Sequence, residues 1–373
     1  MKIVINTSHQ RFGGAIQVAL SFIHECRSFP EHEYYVWVGQ GVGKSLDTSD
    51  FPSNFHFFHF DFGVITFSKI KLIQKTLRPL EEHIKPDVIM ATSGPSYFHS
   101  IAPQIIGFNL PLYIYPESPF VINLTWKKKL KLWLKKQFHF YYFKRDATAY
   151  VVQTDDVGQR VKKALKINKV FTVTNNHSNF YLDDSFVFFQ KLPKRLDKEF
   201  RLLTITSYYG HKNIEIIKEI IPSLQKKGWN NVKFVLTLKE EDFQKYIGEH
   251  PNIINVGPLK PQECPSLYRE CDAMFLPTLA ECFSASYPEA MIMKKPIITT
   301  DLGFSRSICG KAALYFTPIN AEEATTKILE LISSLKLQNE LIMNGLMELK
   351  KFDTPITRAE KYLDICSKIS QKV

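Results

Sequence analysis

The stretch AMFLPTLAECFSASYPEAMIMKKPIITTD, residues 273–301, decides how the chain is built. It opens on a short apolar run, AMFLPT, and closes on another, PIITTD, each of which reads as a buried strand. Between them two acids, Glu281 and Glu289, flank small and aromatic residues. One helix over all of 281–291 puts residues eight apart on nearly one face. Pro288 then falls in the helix interior, where a proline costs about 3 kcal/mol. The helix therefore begins near Ser284 to Ser286, with Glu281 in the loop before it and Glu289 in its first turns. Strand, loop, helix and strand in alternation mark a parallel sheet covered on both faces.

The same rhythm runs outward from this stretch. Upstream, FRLLTITS, VKFVLTL and IINVG read as strands, with NIEIIKEIIPSLQKK and PSLYREC as helices; downstream lies the helix EEATTKILELISSL. The first half repeats the pattern. Its strands are KIVIN, EYYVWVG, FHFFHF, DVIMATS, PLYIYP and AYVVQT, and its helices include GGAIQVALSFIHEC, SKIKLIQKTLRPLEEHI and DDVGQRVKKAL. Residues 177–199 break the alternation and read as a linker. The expected fold class is α/β, two Rossmann-like doubly wound domains facing across a cleft, an N-terminal one over 1–176 and a C-terminal one over 200–354. The length of 373 residues suits two domains at about 150 residues each. A hydrophobic fraction of 45% with 23% charged residues excludes bulk disorder. Ligands in such sheets bind at the carboxyl ends of the strands.

A net charge of +11 points to an anionic partner: nucleic acid, a membrane surface or a phosphorylated substrate. Zinc-finger spacing, helix-turn-helix pattern and RNP-like aromatic sequence are all missing, so no nucleic-acid partner is expected. The six cysteines are dispersed without a CxxC pair, as in a cytoplasmic protein with reduced thiols. The start, MKIVINTSHQRFGG, lacks the apolar core of a signal peptide. No apolar run reaches the roughly 18 residues of a membrane span. The segment 126–145, WKKKLKLWLKKQFHFYYFKR, is basic without one acid. On a helix it sets Trp126, Leu130, Trp133, Leu134 and Tyr141 opposite Lys128, Lys131 and Lys135. That pattern suits docking on an anionic membrane surface, or a covering helix of the first domain.

Several residues carry candidate chemistry. Gly13 and Gly14 open the first helix, where a bare backbone admits a ligand or makes a tight turn. Lys212, at the start of a second-domain helix, suits a diphosphate as a point charge or is a solvated lysine. Glu289 closes an S-x-x-E capping box with Ser286, or accepts from the two vicinal hydroxyls of a ribose. Glu281, in the loop, is placed to hold a sugar hydroxyl, and the backbone N–H groups near Phe283 and Ser284 to hold phosphate oxygens.

With these residues in view, PTLAECFSASYPEAM resembles the E-x7-E segment of the family-4, or group 1, glycosyltransferases. CDAMFLPT and KKPIITTDLGFSRSICGKAALYFTP are similar to that family's flanking strands and loops. SYYGHKNIEII resembles its lysine-bearing phosphate loop and RFGGAIQVAL its N-terminal glycine loop, while VVQTDDVGQRV and VTNNH fit its closing N-domain segments. The resemblance runs through nearly the whole chain in order and is most specific over 201–320. It implies the GT-B architecture, with a nucleotide-sugar donor, UDP- or GDP-linked, on the C-terminal domain. Glu289 would bind the ribose, Glu281 the donor sugar, and Lys212 the diphosphate, approached from the other side by Gly13 and Gly14. The helix over 355–373 would return to the N-terminal, acceptor-side domain.

The chain departs from the family pattern at three places. Ser207 stands where an arginine usually sits five residues before the lysine. Cys282 and Ser284 replace the glycines of the usual E-G-F-G. Where an N-domain loop often carries a histidine, the chain offers Glu117 in PESPF, with His99 as the alternative. D-x-D is absent, and Asp183-Asp184 falls in the linker, so metal-independent transfer with no cofactor is expected. The resemblance implies a retaining hexosyltransferase acting on a glycan or lipid-linked acceptor in bacterial surface polysaccharide biosynthesis, cytoplasmic or peripheral on the inner face of the membrane. A nucleotide-sugar epimerase of similar plan, a phosphorylase and a non-catalytic basic binding protein are the alternatives.

Overall fold

The computed structural model describes residues 1–11, 13–182 and 190–371. Two units separate by their internal packing. Unit 1 comprises Met1–Ile114, Leu124–Asn175 and the chain from Asp353 on; unit 2 comprises Tyr115–Asn123 and Asn176–Phe352.

In unit 1, β1 (Lys2–Asn6), β2 (Glu33–Gly39), β3 (Phe55–Phe60), β4 (Val88–Ala91), β5 (Gln104–Gly107), β6 (Ala149–Val152) and β7 (Val170–Thr172) form one sheet. Its order is β3-β2-β1-β4-β5-β6-β7 and every pairing is parallel. Both faces are buried, which is why the strands read as unbroken apolar runs. Ile3 and Ile5 face the helix Gly14–Glu25 and the last helix, Pro355–Ser370, while Val4 faces a second core with Trp37, Ile73 and Leu77. The last helix is held by Tyr362, whose ring meets Phe22 edge-on at 5.1 Å.

In unit 2, β8 (Phe200–Thr204), β9 (Val232–Leu236), β10 (Ile253–Asn255), β11 (Ala273–Leu276), β12 (Ile297–Thr300) and β13 (Ala313–Phe316) pair in parallel in the order β10-β9-β8-β11-β12-β13. Leu202 and Leu203 of β8 point into opposite cores, as strand geometry demands. The two α/β parallel sheets are those expected. In each, the order reverses beside the first strand, next to β1 in unit 1 and to β8 in unit 2, and these are the switch points where ligands bind in open sheets.

The structure corrects four details. PLYIYP is not a strand: Pro111–Tyr113 is a 3-10 turn, and the fifth strand is the earlier QIIG, residues 104–107. Pro111, without an N–H, cannot donate to a central ladder. The N-terminal domain is not the continuous span 1–176, because Tyr115–Asn123 packs with unit 2. The expected linker 177–199 is docked where it is described. Leu192 is buried and the backbone N–H of Lys191 donates to Glu270 Oε1 at 2.6 Å. Asp183 and Asp184 lie outside the described residues. Finally, Lys212 precedes its helix instead of starting it: it ends a 3-10 turn, Gly210–Lys212, and the α-helix runs over Ile217–Lys226.

Candidate active site

The site in unit 2 forms where the loops after β8 and β11 leave neighbouring strands at the switch point. A backbone hydrogen bond ties the two loops to each other and two more bonds anchor the second loop to its neighbours. Leu279 N–H donates to the His211 carbonyl at 2.7 Å, Thr300 Oγ1 to the Thr278 carbonyl at 2.6 Å, and Ser118 Oγ to the Leu279 carbonyl at 2.7 Å. The frame brings Lys212 Nζ onto Glu281 Oε1 as an ion pair, with both side chains nearly buried, 13% and 11% exposed. Thr278 Oγ1 adds a donor to the same carboxylate oxygen at 3.1 Å. Lys212 is therefore not a solvated surface lysine. A nearly buried pair of this kind depends on both partners, since removing one leaves an uncompensated charge.

His211 sits between Tyr209, stacked at 5.6 Å, and Phe120, edge-on at 5.9 Å. Burial lowers its pKa to about 4; the Glu281 charge raises it and Lys212 lowers it further. The imidazole is neutral at pH 7.

After Glu281 the chain runs to the helix Ser286–Ile292, so Pro288 falls in the first turn, where its missing N–H leaves no gap. Ala285, not Ser286, is the N-cap, and no side chain caps the helix. The capping box of Ser286 with Glu289 does not form, because Ser286 is already inside the helix. Glu289 instead faces two phenols. Tyr268 Oη lies 3.4 Å from Glu289 Oε2, and the Tyr181 side chain hydrogen-bonds the same carboxyl group. Burial pushes the Glu289 pKa up to about 7, against the lowering by the two tyrosines. Phe283 packs its ring edge-on against Phe352 at 6.0 Å; Ser284 is buried.

The structure thus joins Lys212 and Glu281 directly and carries Phe283, Ser284 and Glu289 on the same loop and helix. Glu117 is exposed beside Ser118, the residue bonded to Leu279. Gly13, Gly14 and His99 belong to unit 1. Gly13 has φ +91°, a conformation that requires glycine, and neither Gly13 nor Gly14 has a neighbour where a Cβ would stand. His99 is tied into structure: its Nδ1 lies 3.1 Å from the Arg145 carbonyl and its backbone N–H donates to Gln74.

Sequence reasoning missed Thr278, three residues before Glu281 in the same loop, Tyr181 and Tyr268, which approach Glu289 only through folding, and a polar group in unit 1. There, His9 Nε2 meets the Ser93 carbonyl at 2.8 Å, and a carbonyl only accepts, so Nε2 carries the proton. His9 Nδ1 and Gln10 Oε1 are buried without a partner among the described residues. Burial lowers the His9 pKa to about 4, with the Ser93 bond opposing. The adjacency of His9 and Gln10 to the glycine pair was the available signal. Among the described residues no group of three or more His, Cys, Asp or Glu is placed to hold a metal ion.

The family described as glycosyl transferases group 1 matches residues 199–334. Among solved structures, a glycosyltransferase from Rickettsia africae ESF-5 superposes with a TM-score of 0.73 at 16% identity, over 100% of this chain and 99% of that one. Anabaena HepE, solved with UDP and glucose, gives 0.69 at 14% identity over 98% and 99% of the two chains. WaaG, a glycosyltransferase involved in lipopolysaccharide biosynthesis, gives 0.69 at 14% identity over 98% and 100%. No curated protein matches by sequence. Residues 199–334 thus match the group 1 glycosyltransferase model, and the chain as a whole has the GT-B fold of the glycosyltransferases it superposes on.

Proposed function

We propose that the protein moves a hexose from a UDP- or GDP-linked donor to a glycan or lipid-linked glycan, with retention of configuration and without a metal or cofactor, in bacterial surface polysaccharide assembly at the inner face of the membrane. The observation that carries this reading is the Lys212–Glu281 pair at the switch point of unit 2, with Glu289 eight residues further on. Lys212 supplies the positive charge for the diphosphate, and Phe283 and Ser284 the backbone N–H groups for its oxygens. Glu281, already held by Lys212 and Thr278, accepts from a sugar hydroxyl. Glu289 accepts from the ribose. HepE with UDP and glucose, and the role of WaaG in lipopolysaccharide biosynthesis, support the donor and pathway classes.

The chemistry follows from the leaving group. As the C–O bond to the diphosphate breaks, negative charge collects on phosphate oxygen, and fixed donors with a nearby cation lower that barrier. The departing phosphate takes the proton of the attacking hydroxyl on the same face of the sugar. Neither glutamate acts as nucleophile.

A panel of nucleoside diphosphates and their sugars, read by thermal shift and then by release of free sugar, tests the reading. One donor should stabilise the protein and be slowly hydrolysed. Lys212→Ala should depress turnover by about a hundredfold or more, the usual loss for a charge-stabilising group. Stabilisation by no nucleotide sugar, or hydrolysis indifferent to Lys212, Glu281 and Glu289 together, overturns it.

A further inference from the structure

We propose that Tyr181 and Tyr268 are positioning residues: their hydroxyls donate to the Glu289 carboxylate and aim it, leaving its remaining lone pairs for a pair of vicinal hydroxyls on a ligand. The ligand class rests on the donor reading above; the tyrosine–glutamate geometry does not.

Among the described residues no cation pairs with Glu289, and the groups that face it are the phenols of Tyr181 and Tyr268, with the Cys264 thiol behind them. The two tyrosines come from separate elements. Tyr268 lies on the helix Cys264–Glu270, and Tyr181 on the 3-10 turn Asn179–Tyr181, where the chain has just entered unit 2; their rings meet edge-on at 6.0 Å. A carboxylate offers about four acceptor positions. Two phenols occupy two of them and leave the number that a ribose needs.

The Tyr268 hydroxyl also has a choice. It lies 3.4 Å from Glu289 Oε2 and 3.3 Å from the Ser286 carbonyl, with the weakly accepting Met274 Sδ at 3.9 Å, and it has one proton to give, for which the two oxygens compete. With Glu289 ionised, the proton goes to the carboxylate. With Glu289 protonated, the proton turns to the Ser286 carbonyl, and the carboxylic acid donates to the phenol oxygen instead. A protonated Glu289 is then committed as a donor and presents one fewer acceptor to a ligand. Ligand binding and loss of this proton are coupled through a phenol already in place, beside a helix whose N-terminus no side chain caps.

The test uses the full chain with selective 13C labelling of glutamate carboxyls, assigned through Glu289→Gln. The wild-type carboxyl should titrate near 7. Tyr181→Phe and Tyr268→Phe each remove one donor to the carboxylate, so each midpoint should rise by about one unit. A second reading takes UDP-glucose and GDP-mannose affinity from pH 5 to 9, a window in which their phosphodiesters do not titrate. Wild-type affinity for the donor should rise as pH passes about 7. A one-unit rise in midpoint weakens binding at pH 7 about fivefold and is recovered by pH 9. Glu289→Gln should bind with no such pH dependence. Midpoints unmoved in both tyrosine variants, or an affinity loss equal at every pH, overturn the positioning role. Shifted midpoints in a protein that binds neither nucleotide sugar leave the tyrosine role standing and overturn the donor reading.

Discussion

Glu281 and Glu289 begin alike in sequence and end in opposite surroundings. Glu281 meets a cation and a hydroxyl, whereas Glu289 meets two neutral phenols and a buried wall. The difference has a measurable sign. Because the folded pKa of Glu289 stands near 7, above the ordinary 4.5, the folded protein without ligand binds more protons than the unfolded chain between those values. Its stability should therefore fall as pH rises from about 4.5 to 7. Glu289→Gln should lose that component, which urea midpoints at pH 5 and pH 8 will register. For Glu281, replacement by Gln should depress turnover, and azide should rescue nothing if transfer runs as proposed, without a glycosyl–enzyme bond. An inverted glycosyl azide would point to a carboxylate nucleophile instead. The acids themselves were legible from sequence, because Pro288 fixes where the helix can begin. Their partners were not. Tyr181 is more than a hundred positions from Glu289, and nothing local distinguishes it from other tyrosines.

Among the elements, the helix Trp126–Asp146 divides into two unlike halves. Phe140, Tyr142 and Phe143 are buried in unit 1, while Trp126, Leu130, Trp133 and Leu134 stay exposed, Trp126 by 70%. The buried half fits a covering helix, and the exposed stripe, with Lys127, Lys128, Lys129, Lys131 and Lys135 around it, is the part to test for docking to anionic lipid. No described helix is long and apolar enough to cross a membrane. Vesicles rich in phosphatidylglycerol should carry the protein upward in flotation, and Gln at these five lysines should abolish it; equal flotation sinks the idea. The period of this helix was plain in the sequence, as were the edges of EYYVWVG and DDVGQRVKKAL. PLYIYP misled because an apolar run of six residues looks the same in a strand and in a buried turn. Only the pairing of Ile89 with Gln104 settles which run enters the sheet.

Across the whole molecule, unit 1 is closed by the last part of the chain. Tyr362, Leu363, Ile365, Cys366 and Ile369 fill the core that Ile3, Ile5 and Phe22 begin. Each fully buried large side chain contributes about 1.5–3 kcal/mol. Their sum is comparable with the total stability of an ordinary domain, about 5–15 kcal/mol. Ending the chain at Thr354 should therefore cost unit 1 its cooperative unfolding, seen as loss of its methyl resonances in NMR. Tyr362→Ala alone should destabilise by about 3–5 kcal/mol, as large aromatic truncations do. This closure also orders events in time. A ribosome releases the first strand hundreds of residues before the helix that covers it, so the sheet begun first is completed last. Until then Ile3, Ile5 and Phe22 stand uncovered in a growing chain, where exposed apolar surface invites aggregation.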